Sequence, residues 1–149
     1  AGGAQGRTDL SAGRILVVDD NVDSAETLAK LLRLHGHSVS VAFDGRAALD
    51  ETLAKRPDVV ILDCVMTEVS GILALKEIRS SDKVYATPVL ILTARRSAAD
   101  EGIAMAAGAD DYLRKPFDPD ELVVRVEALM GIYSAGKSAR PGKASPAEA

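Results

Sequence analysis

The residues best placed to do chemistry together are the adjacent acids Asp19 and Asp20, the acid Asp63, the hydroxyl of Thr93 and the ammonium of Lys115. Asp19, Asp63 and Thr93 each directly follow a short apolar run, Asp20 stands next to Asp19, and Lys115 comes two residues after Leu113. Carboxylates gathered at one place repel and raise one another's pKa unless a cation neutralises them. An oxygen-only donor set suits a hard ion such as Mg²⁺, held by one or two carboxylates, a carbonyl and waters, and no His or thiolate is placed for zinc. A carboxylate beside Mg²⁺ and a lysine can attack phosphorus, because both cations neutralise charge spreading over the equatorial oxygens. Lys115 carries a compact charge on a long stem, suited to reach such an oxygen.

The pattern around these residues says how they would be positioned. Three runs are almost continuously apolar and rich in β-branched residues: 15–18 (ILVV), 59–62 (VVIL) and 89–92 (VLIL). Runs so short and so apolar predict strands buried on both faces, as a parallel sheet requires. Weaker strands are predicted at 38–43 and 111–113. Helical spacing of Leu28, Leu31 and Leu32 predicts a helix over 23–34 that stops near Gly36. Further helices are predicted over 46–55 and 71–79. Another opens on a capping box of Ser97 and Asp100 and closes at Gly108. A last one opens on Asp118-Pro119 and ends at Gly131. Five alternations of strand and helix predict a right-handed, doubly wound α/β sheet with helices on both faces. Its ligand site should lie beyond the carboxyl ends of the strands, where all these side chains fall.

The 149 residues suffice for one core and not for two ordinary domains. Residues 1–13 read as a disordered leader, 14–131 as the domain and 132–149, rich in Ala, Gly, Ser, Pro and Lys, as a flexible tail. No apolar stretch approaches the length needed to span a bilayer, and no secretory signal is visible, so no membrane insertion is expected. The single cysteine, Cys64, excludes an internal disulfide and fits the cytoplasm. A net charge of −4 speaks against a nucleic-acid-binding surface.

The segments 15–21 (ILVVDDN), 59–66 (VVILDCVM), 92–94 (LTA) and 110–117 (DDYLRKPF) closely resemble the receiver domain of bacterial two-component response regulators. The match covers roughly 14–130, with four motifs in order and spacing. The resemblance implies a flavodoxin-like, five-stranded parallel sheet of strand order 2-1-3-4-5. It implies Asp63 as phospho-acceptor, Asp20 binding Mg²⁺ directly, Asp19 helping through water, and the Val65 carbonyl completing the metal shell. Thr93 and Lys115 would contact the phosphoryl group, Tyr112 would be an aromatic switch moving with Thr93, and Lys115-Pro116 would be a cis peptide. A histidine kinase or histidine phosphotransfer protein would dock over Asn21, Ser24, Thr27, Pro116 and Phe117. A downstream protein would be the target of the switched state. The domain would be free-standing, as in chemotaxis regulators, or part of a hybrid kinase, and control of transcription by this chain alone is not expected.

Two positions depart from the family pattern: Thr67 stands where a proline is usual, and Ser70-Gly71 where Asp-Gly is frequent. Ser70 could serve as a substitute helix cap. A phosphohydrolase of the haloacid-dehalogenase type also uses an Asp nucleophile and Mg²⁺, but needs a second acid two residues on, where Val65 stands. Val65 and Arg95, two beyond Asp63 and Thr93, flank the path of a hydrolytic water. Val65 excludes it, which predicts a long-lived phosphoryl group, while Arg95 either lies across the entrance or attracts anions and speeds loading; the bland alternative is that both point to solvent. The bland alternatives are that Asp19 and Asp20 cap the following helix, that Tyr112 only packs, and that Cys64 is a small buried hydrophobe. His35 and His37, beside a helix-ending glycine, read as surface or turn residues.

Overall fold

The computed structural model of the chain describes residues 13–63, 68–93 and 98–136, and of 68–70, 98–100 and 132–136 the backbone only. The three apolar runs form β1 (Arg14–Val18), β3 (Val59–Asp63) and β4 (Val89–Thr93), and the weaker ones β2 (Ser38–Ala42) and β5 (Asp111–Arg114). Every adjacent pair is parallel, and the order across the sheet is β2-β1-β3-β4-β5, the expected 2-1-3-4-5. Residues of β3 and β4 are buried throughout, as apolarity on both faces requires.

Helices α1 (Val22–Leu34), α2 (Gly45–Lys55), α3 (Glu68–Ser80), α4 (Ala98–Ala106) and α5 (Pro119–Gly136) cover the two faces. One core joins α1 (Ala25, Ala29, Leu32) and α5 (Leu122, Val126, Leu129) to the odd-numbered side chains of β1 and β3 and to Leu90, Leu92 and Leu113. The other joins α2 (Ala48), α3 (Ala74, Leu75, Ile78) and α4 (Ala104) to Leu16, Val18, Val60, Leu62, Val89 and Ile91. The period-2 alternation of each strand thus deals its side chains to two separate cores.

Local signals fix most boundaries. Asn21 caps α1 by accepting from the Ser24 N–H at 2.9 Å, and Asp44 caps α2 by accepting from Ala47 at 2.7 Å. Gly36 (φ 93°) ends α1 and Gly108 (φ 114°) ends α4, both in the left-handed region that glycine tolerates. Asp118 accepts from the Asp120 N–H at 2.9 Å as the cap of α5, with Pro119 in its first turn.

The structure corrects four expectations. Helix α3 starts at Glu68, so Ser70 lies within it and is not its cap. Helix α5 passes through Gly131 to Gly136: that glycine is not at positive φ, and an interior glycine costs only about 1 kcal/mol relative to alanine. The apolar face of α5 is packed on the sheet as far as Met130. Gly13, expected in the leader, already belongs to the fold, its carbonyl accepting from Ser38 at 2.9 Å. His37, expected as a surface or turn residue, is buried just before β2, its ring lying against Glu127 of α5. Residues 1–12 and 137–149, with Cys64, Thr67 and Ser97, lie outside the described residues.

Candidate functional site

Sheet register brings the acids together. Val18 pairs with Leu62, so Asp19 and Asp63 come level one step later at the carboxyl ends of β1 and β3. Both share the odd-numbered face of their strands, toward α1 and α5, and both are buried, at 5% and 3% exposure. Asp20, in contrast, is exposed. Asp63 also pairs with Leu92, and Thr93 with Arg114, which places Lys115 one step beyond the end of β5. The Lys115 ammonium donates to Oδ2 of Asp63, and its backbone N–H donates to the Thr93 carbonyl at 2.7 Å. The Lys115-Pro116 peptide is cis.

The electrostatics follow from this crowding. Burial pushes the Asp19 carboxyl up from the ordinary 3.8 to about 6, with the hydrogen bond and like charge of Asp63 adding to the rise. The Asn21 N–H, which donates to Asp19 at 2.9 Å, and the Lys115 charge oppose it. The site therefore holds, among the described residues, more negative charge than Lys115 offsets. Among the described residues no three His, Cys, Asp or Glu side chains are close enough to enclose a metal. Val65 and Arg95 lie outside the described residues.

Thr93 sits on the other face. It is 2% exposed and follows Val89 and Ile91 in the alternation, toward the core shared by α2, α3 and α4. Tyr112 pairs with Ile91 on the neighbouring strand, packs against that same core and has a buried hydroxyl. The two residues named as a switching pair thus lie on one face of adjacent strands.

A groove of about 870 Å³ opens from the acids between α1 and the loop after β5, lined by Asp19, Asp63, Lys115, Ser24, Thr27, Pro116 and Phe117. Asn21 does not line it; its side chain is engaged in the helix cap. Asp23, Leu28, Leu31 and Pro119 do line it, and sequence reasoning missed them as site residues. Ser24, Thr27, Leu28 and Leu31 form an i, i+3, i+4, i+7 stripe, so the signal was present but read as core. Only Leu32 of the three leucines is fully buried.

The family model for the response regulator receiver domain matches residues 15–127. The chain belongs to the response regulator receiver domain family. It is similar to the response regulator MprA of Mycolicibacterium vanbaalenii, 44% identical over 117 residues, which covers 78% of this chain and 50% of that protein. It is also similar to the transcriptional regulatory protein PrrA of Mycobacterium leprae, 44% identical over 123 residues, covering 83% and 52%. This receiver domain therefore spans about half the length of the curated relatives it matches. Among solved structures, the Francisella response regulator 1452 receiver domain superposes with a TM-score of 0.73 at 36% identity, covering 80% of this chain and 97% of that one. The receiver domain of the sensor histidine kinase PA1611 of Pseudomonas aeruginosa, solved with a magnesium ion coordinated in its active site cleft, gives 0.73 at 31% identity, covering 80% and 98%.

Proposed function

We propose that this receiver domain takes a phosphoryl group onto Asp63 from a histidine kinase or a histidine phosphotransfer protein, and passes the event to a protein partner by a change of shape. The observation that carries the reading is the place of Asp63: a buried carboxylate at the open end of a parallel sheet, between a second acid and a lysine, at the mouth of a groove. Asp63 supplies the attacking oxygen, and Lys115 stands ready to exchange that carboxylate for a phosphoryl oxygen. The domain catalyses its own phosphorylation and dephosphorylation and is not a conventional enzyme.

The residues fit a magnesium ion. The donors are all oxygen, and the raised Asp19 marks an acid pair that a divalent cation would relieve. Asp19, Asp20, Asp63 and the Val65 carbonyl would hold it, with waters completing a loosely built shell. When bound, it would neutralise charge on the transferring phosphoryl oxygens. Thr93 would then move toward the phosphoryl group, and Tyr112, already packed inward on the same face, would be held there. This is a shift between two populations whose size is set by the contacts that differ between them.

The donor would dock in the groove, across Ser24 and Thr27 of α1 and Pro116-Phe117. A cytoplasmic place accords with the absence, among the described residues, of a helix long and apolar enough to cross a membrane. The net acidity of this domain argues against nucleic acid on its own surface, while control of transcription, in the name of one relative, belongs to a protein about twice the length. Intact-mass measurement after incubation with acetyl phosphate and Mg²⁺ tests the proposal. One added phosphoryl group on the wild type and none on Asp63→Asn is expected; an unchanged wild-type mass would overturn it.

A further inference from the structure

At the end of the sheet opposite the acids, Gly13 is seated on α5 in two independent ways. Its N–H donates to Nδ1 of His37 at 3.1 Å, and the other ring nitrogen, Nε2, lies 2.8 Å from a carboxylate oxygen of Glu127 in α5. Separately, its backbone packs flush on the same helix: a Cβ added there would come within 2.5 Å of the Met130 sulfur and 3.0 Å of an Asp58 oxygen. The His37 side chain is wholly buried, whereas Glu127 is one-third exposed. A backbone N–H can only donate, so Nδ1 is the acceptor, and the proton of the neutral ring sits on Nε2 and is donated to Glu127. The surroundings therefore dictate a single tautomer.

We propose that His37 is a proton-sensitive clasp: its neutral ring holds Gly13, at the entry to β1, against α5, and its protonated ring gives up that bond. Nε2 already carries a proton, so a second one binds at Nδ1. That converts the acceptor of the Gly13 bond into a donor facing another donor, and the bond is lost. The bond to Glu127 survives as an ion pair, so α5 keeps the ring while Gly13 leaves it. Charged groups on the surrounding elements are Glu127 on α5, Asp58 before β3, Arg14 of β1 and Arg33 of α1. The Asp58 carboxylate is held by the Arg14 N–H at 2.8 Å, the Arg14 guanidinium by the Arg56 carbonyl at 3.0 Å, and that of Arg33 by the Val39 carbonyl at 2.9 Å. Glu127 alone is bonded to the ring and would receive its added charge. Lying at the far end of β1 from Asp19, the clasp acts on the entry to β1 and leaves phosphoryl acceptance untouched.

Nuclear magnetic resonance on the full chain between about pH 8 and about pH 5, the range in which histidines titrate, tests this. Long-range proton–nitrogen spectra should find His37 in the Nε2–H form at the upper end. As the ring protonates, the Gly13 amide should lose protection against hydrogen exchange by about tenfold for each pH unit of descent toward the ring's midpoint and level off below it, while core amides such as Leu16 and Ile61 stay protected. His37→Asn keeps a side-chain acceptor near Nδ1 without titrating, and should make Gly13 protection independent of pH in this range. An Nδ1–H tautomer, a ring that stays neutral until the core unfolds, or Gly13 protection unmoved through the ring's titration would each overturn the clasp. The wild-type measurement decides even if the variant fails to fold.

Discussion

The ammonium of Lys115 donates to Oδ2 of Asp63 across 52 residues of sequence. The contact exists because β4 lies between β3 and β5, so that two strand ends reach over a third. Without a metal, the lysine is the cation that offsets the buried acids. It therefore competes with Mg²⁺ for Asp63. Lys115→Met should tighten Mg²⁺ binding by about tenfold, the equivalent of removing about 1.4 kcal/mol of opposing charge, while slowing phosphoryl uptake. Calorimetric Mg²⁺ titration of the two proteins checks it; an unchanged affinity would mean that the lysine and the ion do not share the acid.

Asp19 should make the metal-free protein less stable as pH rises. Its carboxyl is raised in the folded state, so its favourable share is full below about pH 3.8 and is lost as pH climbs through about 6. Asp19→Asn should then unfold later than wild type at neutral pH, by on the order of 2–3 kcal/mol, and show no such gain near pH 4. Mg²⁺ should shrink the difference. Urea titrations at the two pH values provide the test, and a gain that persists at acid pH would assign it to something other than this carboxyl.

Ser24 is exposed on α1 and faces the groove, and only its backbone N–H serves the helix cap. Ser24→Glu should slow phosphoryl transfer from the cognate protein donor at least tenfold by placing a like charge in the docking groove. Labelling by acetyl phosphate, which needs no docking, should be unchanged. Equal loss with both donors would point to damage at the acids.

Arg79 ties α3 to the turn before β5, donating to the carbonyls of Gly108 (2.9 Å), Tyr85 (3.0 Å) and Thr87 (2.6 Å) and to the Asp110 carboxylate (2.7 Å). Both side chains of the Arg79–Asp110 pair are largely buried. Arg79→Ala should destabilise the fold by about 3 kcal/mol, since it removes a largely buried ion pair and the side-chain donor to three carbonyls, although the Val89 N–H still holds the Asp110 carboxylate at 2.8 Å. A shift of less than about 1 kcal/mol in the urea midpoint analysis would show that water replaces the guanidinium freely.

Val65, two residues beyond the proposed acceptor Asp63, has no hydrogen-bonding side chain with which to orient a water, so the phosphoryl group should persist. Val65→Asn should speed its loss roughly fivefold, what one positioned hydrogen bond of about 1 kcal/mol allows. Phosphate release from the labelled protein measures this. Unchanged decay would remove Val65 from the determinants of lifetime.

Much of this protein was written locally. The three apolar, β-branched runs could be satisfied only by strands buried on both faces, and their alternation with helical stripes led to a doubly wound sheet with Asp19, Asp63, Thr93 and Lys115 at its carboxyl edge. Caps at Asn21, Asp44 and Asp118 act through neighbours a few residues away, which is why short-range patterns place helix starts well. Tertiary structure decided what depends on side-chain direction and on distant partners. Of two adjacent acids, strand register buried Asp19 beside Asp63 and left Asp20 exposed, a choice no dipeptide encodes. Leu28 and Leu31 share a helical stripe with core residues, yet they line a groove because the loop after β5 stands off from α1 there. Gly131 stays within α5 because one interior glycine's backbone cost is too small to end a helix, and His37 is buried by partners, Gly13 and Glu127, that lie 24 and 90 residues away. Contacts of that span carry no local signature; they exist only once the sheet has brought the strands together.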